Sequence, residues 1–487
     1  MEPDRQLLDA AVVHFRERLE CALESMRLSA SAFAFTEAER ELVRLTREFA
    51  SQLTQQVLQS VSDDAERRQA AWTRVQERAA ARGIEVRSIG RRSTPVRTLG
   101  GQVVEVVTPY VAAAPRGGSR QTRGAQGTGV YPVLDQLGIE GRSTPALRLL
   151  VSRTLCEANS VASGRELLRS SGLDIDHKGA LRLTYLVSDL ALRVRARAIR
   201  QTKDGTPGGV LAGRRVVAAV DGGRVQIRRR VAGRPKKGGR KRFVTEWREP
   251  KILTLYVLND EGKRDRTVPA VIDGTLGDAD AVFELLRYHL LRLGAHEASE
   301  LGLIGDGAKW IWSRSEELRK SLSLPPERFG ETVDYFHVAE RLGDLSKTET
   351  SWSTDDRNGW LSEQKQRLKE GDIESIEQTI ATTGLRRTAG AKEETEAEFW
   401  SRNRERMRYG ALREQKWPIG SGAVESSVRR VINLRMKGAS ICWTEQHAEG
   451  MLHLRAHAKS GRWKELEAAV LANTGWLPTS RRVSQAA

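Results

Sequence analysis

The sequence predicts an α/β protein. A mixed five-stranded sheet flanked by helices is interrupted by a helical insertion and preceded by a mostly helical region. Three observations predict this. Between 211 and 342, short apolar runs that stop at Asp-Gly alternate with helical patterns. Between 343 and 415, the chain turns polar, rich in Glu, Arg and Lys, without strand signals. Between 1 and 90, apolar residues recur at mixed three- and four-residue spacing.

Each element follows in order. DRQLLDAAVVHFRERLECALESM and LVRLTREFASQLTQQVLQSV read as two helices, a hairpin for packing or dimerisation. Thr36 and Glu39 form a capping-box pattern ahead of the second. VRTLGGQVVEVVTPYV alternates and reads as a short β-hairpin stopping near Pro109; the stretch RGGSRQTRGAQGTG after it reads as an exposed loop. Thr144 and Pro145 suit a helix cap and first turn. A short helix over Arg165 to Leu168, a turn at Gly172 and a second helix from about Lys178 give a helix-turn-helix outline. If that outline binds DNA, Lys178, Arg182 and Tyr185 face the major groove; simple packing gives the same outline.

From 211 the reading is strand, strand, strand, helix, strand, helix-like segment, strand. RRVVAAVDGG is buried, RVQIRRR half-exposed, and KILTLYVLND is the third strand. VFELLRYHLLRLG is a helix with Asp278 or Asp280 near its N-cap. SELGLIGDGAKW and ETVDYFH supply strands four and five, and VAERLGDL is a helix. This is the order of an RNase H-like fold. The expected divisions are 1–90 (helical), 91–200 (hairpin plus helix-turn-helix), 211–342 (first part of the core), 343–415 (helical insertion), 416–470 (last part of the core) and 471–487 (flexible tail).

Length and charge set the class of partner. The chain has 487 residues, enough for roughly three domains. It carries 80 Lys+Arg against 63 Asp+Glu, a net charge of +17. That excess points to a polyanion, nucleic acid or an acidic membrane surface, although free use of arginine accounts for some of it. No run approaches the ~18 apolar residues of a membrane span. MEPDRQLLDA lacks a basic-then-apolar leader, so a cytoplasmic, nucleoid-associated protein is expected. Cys21, Cys156 and Cys442 lie too far apart for a zinc cluster or disulfide framework, and no zinc is expected.

Three carboxylates stand out. Asp221 ends VVAAV and precedes Gly222 and Gly223; Asp306 ends LGLIG and precedes Gly307. A carboxylate ending a buried strand beside glycine lies at the sheet rim, where a ligand can approach. Glu425 follows a Gly-Ser-Gly turn on a helix whose Val424, Val428, Val431 and Ile432 form one apolar face. Three carboxylates from separate elements can hold two Mg²⁺ ions roughly 3.5–4 Å apart, with Mn²⁺ as a substitute, for in-line phosphoryl transfer. Without cations their convergence costs repulsion. Each also has an ordinary reading: Asp221 as a turn residue, Asp306 as a helix cap, Glu425 paired with Arg429. Asp273, Asp278, Asp280, Glu331 and Asp334 compete for the site. Asp334 and His337 form a pair that supports the metal-holding groups, touches the DNA end, or anchors the insertion. A Ser/His/Asp triad has no Gly-x-Ser-x-Gly context.

VDGGR at 220–224, IGDGAKWIW at 304–312, DYFHVAERL at 334–342 and WPIGSGAVESSVRRVINLRMKG at 417–438 resemble the DDE transposases of bacterial insertion sequences. The likeness is to the Kra-type family, kin to the ISL-type and Mutator-like groups. It covers roughly 211–460 well and 91–200 loosely. The resemblance implies an RNase H-like core with Asp221, Asp306 and Glu425 as the Mg²⁺-binding catalytic triad, a helical insertion between Asp306 and Glu425, and an Asp-x-x-His element at Asp334 and His337. It implies cleavage at terminal inverted repeats and transfer of the freed 3′-OH to double-stranded target DNA, by a homodimer or larger assembly when two ends are synapsed. Relatives often carry zinc-binding cysteine pairs near the N-terminus, and this chain does not. A nuclease that only hydrolyses, or an inactive DNA-binding regulator, remains an alternative.

Basic residues flank these acids. Arg224 to Arg248 holds eleven Lys/Arg and one acid. Arg228, Arg229, Arg230, Arg234, Lys236, Lys237, Arg240, Lys241 and Arg242 suit phosphate neutralisation. Arg429, Arg430, Arg435 and Lys437 add charge near Glu425. Trp352, Trp360 or Trp400 could stack on an unpaired base at a cut end, whereas Trp310 and Trp312 suit the core.

Overall fold

The computed structural model describes residues 2–27, 31–81, 83–113, 129–233, 242–386 and 395–474. The chain divides into two compact units, one of residues 1–191 with 465–487, the other of 192–464. Among the described residues no helix is long and apolar enough to cross a membrane.

The first unit opens with the expected helices, Glu2–Arg27 and Ala32–Asp63, joined by stacked Phe15 and Phe49 with ring centroids 4.7 Å apart. A third follows at Ala65–Ala80. The capping box at Thr36 and Glu39 does not form. The second helix starts five residues earlier, where extended Ser31 accepts the Ala34 N–H at 3.2 Å. Thr36, already inside the helix, donates its hydroxyl back to the Ala32 carbonyl. The β-hairpin is longer than expected: β1 (Val86–Arg97) pairs antiparallel with β2 (Val103–Ala113). Gln59 exchanges hydrogen bonds with the Val107 backbone, and Gln55 donates to the Glu105 carbonyl, so helix side chains cover strand groups left open at the edge. The glycine-rich loop after it lies outside the described residues for 114–128.

The helix-turn-helix outline is formed by Val161–Ser170 and His177–Gln201, the first longer than Arg165 to Leu168. Gly172 takes φ +77°, a left-handed turn that a side chain would strain. Pro145–Glu157 packs beneath, through Leu147, Val151 and Leu155 against Leu168, Leu173 and Leu183.

The second unit is built on a mixed sheet. Its strands are β3 (Arg215–Gly222), β6 (Lys251–Val257), β7 (Val271–Thr275), β8 (Glu300–Gly305) and β9 (Phe329–Val333), in the spatial order β7-β6-β3-β8-β9. β3 is antiparallel to β6, and β6 to β7; β3, β8 and β9 run parallel.

The number of strands matches the expectation, but one identity does not. RVQIRRR is not in this sheet. As β4 (Val225–Arg230) it pairs with β5 (Phe243–Arg248) in a separate ribbon. A central strand must be buried on both faces, as Val216 to Val220 are, whereas Arg228 to Arg230 are exposed. The missing strand is β7, within PAVIDGT. Five residues including Asp273 and Gly274 give little strand signal, because both types are poor strand formers.

Alternation along β3 divides its side chains between two faces. Val216, Ala218 and Val220 join Leu253 and Leu255 in one apolar cluster with Val282, Leu286 and Leu290 of helix Ala279–Arg292. Ala219 and Asp221 share the other face with their partners Thr254 and Ile252. Helix Gly422–Val428 packs there, with Thr254 donating to the Ser427 hydroxyl at 2.9 Å.

Between 343 and 415 the chain is helical, as expected, with helices at Thr354–Glu370, Ile373–Thr383, Glu396–Asn403 and Tyr409–Glu414. Its polar composition conceals Leu368, Ile376, Phe399, Trp400 and Tyr409, which belong to the same apolar cluster as the sheet. Residues 387–394 lie outside the description. Trp400 is fully buried, and partly buried Trp352 and Trp360 pack on each other at 5.5 Å. Trp312 is core and Trp310 packs against it.

Candidate active site

Strand register gathers the acids. Val220, Gly305 and Val333 form one row across the three parallel strands. The next residue on each is Asp221, Asp306 and Asp334. Three carboxylates therefore stand in one row at the carboxyl ends of adjacent parallel strands. Alternation aims all three away from the face covered by helix Ala279–Arg292.

Each is held locally. Asp221 Oδ1 accepts its neighbour Gly222 N–H at 2.6 Å. Asp306 Oδ1 accepts the Ala308 N–H at 2.9 Å, and Trp312 Nε1 donates to the Asp306 carbonyl. Asp334 is fully buried. Its Oδ1 accepts the Phe336 N–H at the start of helix Tyr335–Ser346; its Oδ2 accepts the Ser421 N–H at 2.6 Å. Tyr335 also donates its N–H to the Ile419 carbonyl. The two bonds tie the turn before Gly422–Val428 to the end of β9, and so fix where Glu425 stands.

Glu425 is exposed in the first turn of that helix, whose Val424 and Val428 are buried, as are Val431 and Ile432 beyond it. The helix does not run on as one amphipathic element. It passes into a π-helical turn at Arg429–Asn433. A Cβ on Gly223 would lie 2.4 Å from Ile432 Cδ1, so glycine beside Asp221 permits the close approach of this segment.

One oxygen each of Asp334 and Glu425 and one ring nitrogen of His337 lie within 4.8 Å of one another. His337 Nδ1 stands 3.6 Å from Asp334 Oδ2, an ion-pair distance, and is buried without a hydrogen-bond partner. This ion pair raises the imidazole to about 9 against the opposing effect of burial, and Asp221 and Asp306 add to the rise. His337 is therefore a cation at neutral pH. Burial pushes the Asp221 carboxyl up to about 6; the Gly222 N–H and His337 oppose the rise, while Asp306 and Glu425 reinforce it. Burial would raise Asp334, but His337 and Ser421 hold it below its ordinary value.

Asp221, Asp306 and Glu425 offer oxygen only, which suits a hard divalent cation. Asp334 has both oxygens engaged by backbone N–H groups, which suits positioning better than ligation.

A stability prediction follows. The Asp221 carboxyl binds its proton more tightly folded than unfolded, where its value is 3.8. Its penalty is absent below that value, grows as pH rises towards 6 and is complete above it. Asp221→Asn should therefore stabilise the metal-free protein at pH 7.5 by up to about 3 kcal/mol, with the gain vanishing near pH 4. Thermal melts across that range check it; a loss of stability at high pH contradicts it.

The competing acids have structural duties. Asp278 caps helix Ala279–Arg292, accepting from Ala281; Asp280 meets Arg314 at 2.5 Å; Glu331 pairs with Arg406. Asp273, on the opposite face from Asp221, is fully buried among Arg195 at 3.1 Å, His289 at 2.9 Å and His453 at 3.2 Å. Arg195 also binds Glu449.

The expected cationic residues scatter. Arg228, Arg230, Arg242 and Arg429 are exposed; Arg229 meets Glu246 at 2.8 Å. Arg234, Lys236, Lys237, Arg240 and Lys241 lie outside the described residues. Arg430 donates to the Ser426 and Lys459 carbonyls, tying its turn to helix Glu445–Lys459. Arg435 is a correction: it is buried over the Trp443 ring and adds no surface charge, because the chain after the π-helical turn folds back over it. In the first unit Lys178 and Arg182 are exposed, and Arg182 donates to the Gly141 carbonyl. Phe243 and Trp247 are exposed on β5, where the adjacent apolar pair Phe243-Val244 and polar pair Thr245-Glu246 give no alternation to signal a strand.

Comparison with protein-family models, curated proteins and solved structures gives no match to the chain.

Proposed function

We propose that the chain is a DNA transposase of the insertion-sequence type, with residues 192–464 forming an RNase H-like catalytic core. One observation carries the reading. Asp221 and Asp306 directly follow Val220 and Gly305, the last paired row of two adjacent parallel strands, and the Glu425 helix packs against the first of these strands. The sheet supports it: three antiparallel strands followed by two parallel ones, with the first strand central, is the RNase H-like arrangement.

Asp221, Asp306 and Glu425 would hold the ions. Two bound Mg²⁺ or Mn²⁺ ions supply activation of the attacking oxygen and stabilisation of the leaving one. The chain's own part is to orient: the Gly222 and Ala308 N–H groups hold Asp221 and Asp306, and the Ser421 N–H, bound to Asp334, fixes the turn before Glu425. Cationic His337 offsets their repulsion. In the first reaction, water oxygen joins the phosphorus and the 3′-oxygen leaves, protonated as a 3′-OH. In the second, the oxygen of that 3′-OH joins a target phosphorus, and the target's own 3′-oxygen leaves, taking up the proton as a 3′-OH. The exposed arginines near the site suit neutralisation of the DNA backbone, and exposed Lys178 and Arg182 suit recognition of the terminal repeats.

The test is a donor DNA carrying the repeats that flank the gene, mixed with supercoiled target and Mg²⁺. Joined product supports a transposase. Cutting without joining supports a nuclease, and a footprint with neither supports a regulator.

A further inference from the structure

The ribbon of β4 and β5 begins four residues after Asp221 and is closed at its base by the Gly223 N–H donating to the Pro250 carbonyl at 2.8 Å. Its two faces differ. Val225 and Ile227 are buried, and β4 is bonded along its other edge to Trp443. The register puts Gln226 opposite Trp247, Arg228 opposite Thr245 and Arg230 opposite Phe243, all on the other face. There Trp247 and Phe243 are 50% and 51% exposed. Arg224 lies over the Trp247 ring with its guanidinium carbon 6.0 Å from the centroid. Arg228 and Arg230 have no acidic partner among the described residues.

This face pairs two open aromatic rings with unneutralised arginines. An apolar partner surface would cover the rings but leave the arginines uncompensated, and a folded duplex would satisfy the arginines but offer the rings no base faces. Single-stranded nucleic acid satisfies both, because unpaired bases stack on aromatic rings while phosphates meet the cations. Trp247 and Phe243 are four residues apart on one strand, about 13 Å, a span that successive unstacked nucleotides can bridge. The ribbon's origin beside Asp221 places that strand at the rim of the carboxylate centre.

We propose that the Trp247–Phe243 face holds an unpaired DNA strand beside the cleavage site, with its bases on the two rings and its phosphates against Arg224, Arg228 and Arg230. The inference rests on the reading of the chain as a DNA-cleaving enzyme, but its test uses neither metal nor cleavage. Fluorescence anisotropy on the full chain in EDTA compares a labelled thymidine-only DNA strand with a duplex of the same length. Trp247→Ala should weaken strand binding about tenfold and change duplex binding less than about twofold; Trp247→Phe should restore strand binding. Replacing Arg228 and Arg230 together by Ala should weaken both ligands and flatten the salt dependence by about one to two units of slope. Unchanged strand binding in Trp247→Ala, or equal weakening of strand and duplex, overturns the proposal. A strand effect in a protein that cuts no DNA would leave this face standing and sink the catalytic reading alone.

Discussion

Asp306→Asn should reduce metal-dependent DNA cleavage by at least about a hundred- to a thousandfold while leaving DNA affinity within about twofold. Asp221→Asn and Glu425→Gln should do the same. The amide keeps the shape of each side chain and can still accept the Ala308 or Gly222 N–H, so the strand ends and helix stay in place. What is lost is the negative charge that a hard cation requires. Gel assays of cleavage, with filter binding run in parallel, check both halves. On the proposal that the three groups act as one centre, combining two substitutions should add little to either alone. If all three variants cut DNA as the parent does, these carboxylates are not the centre.

Asp273→Ala should be the most damaging substitution away from that centre, costing about 3–5 kcal/mol of stability. Burial alone would raise the Asp273 carboxyl, yet Arg195 and His453 hold it well below the ordinary range. Burial pushes His289 down to about 4, so at neutral pH it is an uncharged hydrogen-bond partner, and the Asp273 charge is met by Arg195. Removing the carboxylate leaves Arg195 with Glu449 as its remaining carboxylate partner and strips His289 of its hydrogen bond. Denaturant melts should show the loss at pH 7, with Asp273→Asn intermediate. A change of less than about 1 kcal/mol for the Ala variant would mean that the cluster is not what secures β7.

The parts legible in the sequence were those with strong local signals. Apolar runs closed by Asp-Gly announced β3 and β8, and their ends carried Asp221 and Asp306 to the same rim. The Gly-Ser-Gly turn and the valine spacing announced the Glu425 helix. The hidden parts were those where tertiary context outweighs local preference. β7 contains a buried aspartate that only distant Arg195, His289 and His453 make tolerable. β4 alternates well enough to pass for a sheet strand, and only its pairing with β5 shows a ribbon. The helices after 353 read as polar because their apolar residues are few, yet those residues join the central core. Nor could spacing reveal that Asp334 caps one helix and pins the turn before another, since Ser421 lies 87 positions away.

Divalent cation binding by Asp221, Asp306 and Glu425 is the central claim, and Mn²⁺ titration followed by electron paramagnetic resonance tests it most directly. The parent protein should take up Mn²⁺ saturably, and Asp221→Asn combined with Asp306→Asn should abolish that uptake in a protein that melts at least as high. His337→Gln should retain it, because His337 serves as a counter-charge and not a ligand. Equal uptake by the double variant, or loss confined to His337→Gln, would move the metal to the Asp334, His337 and Glu425 cluster and contradict the assignment.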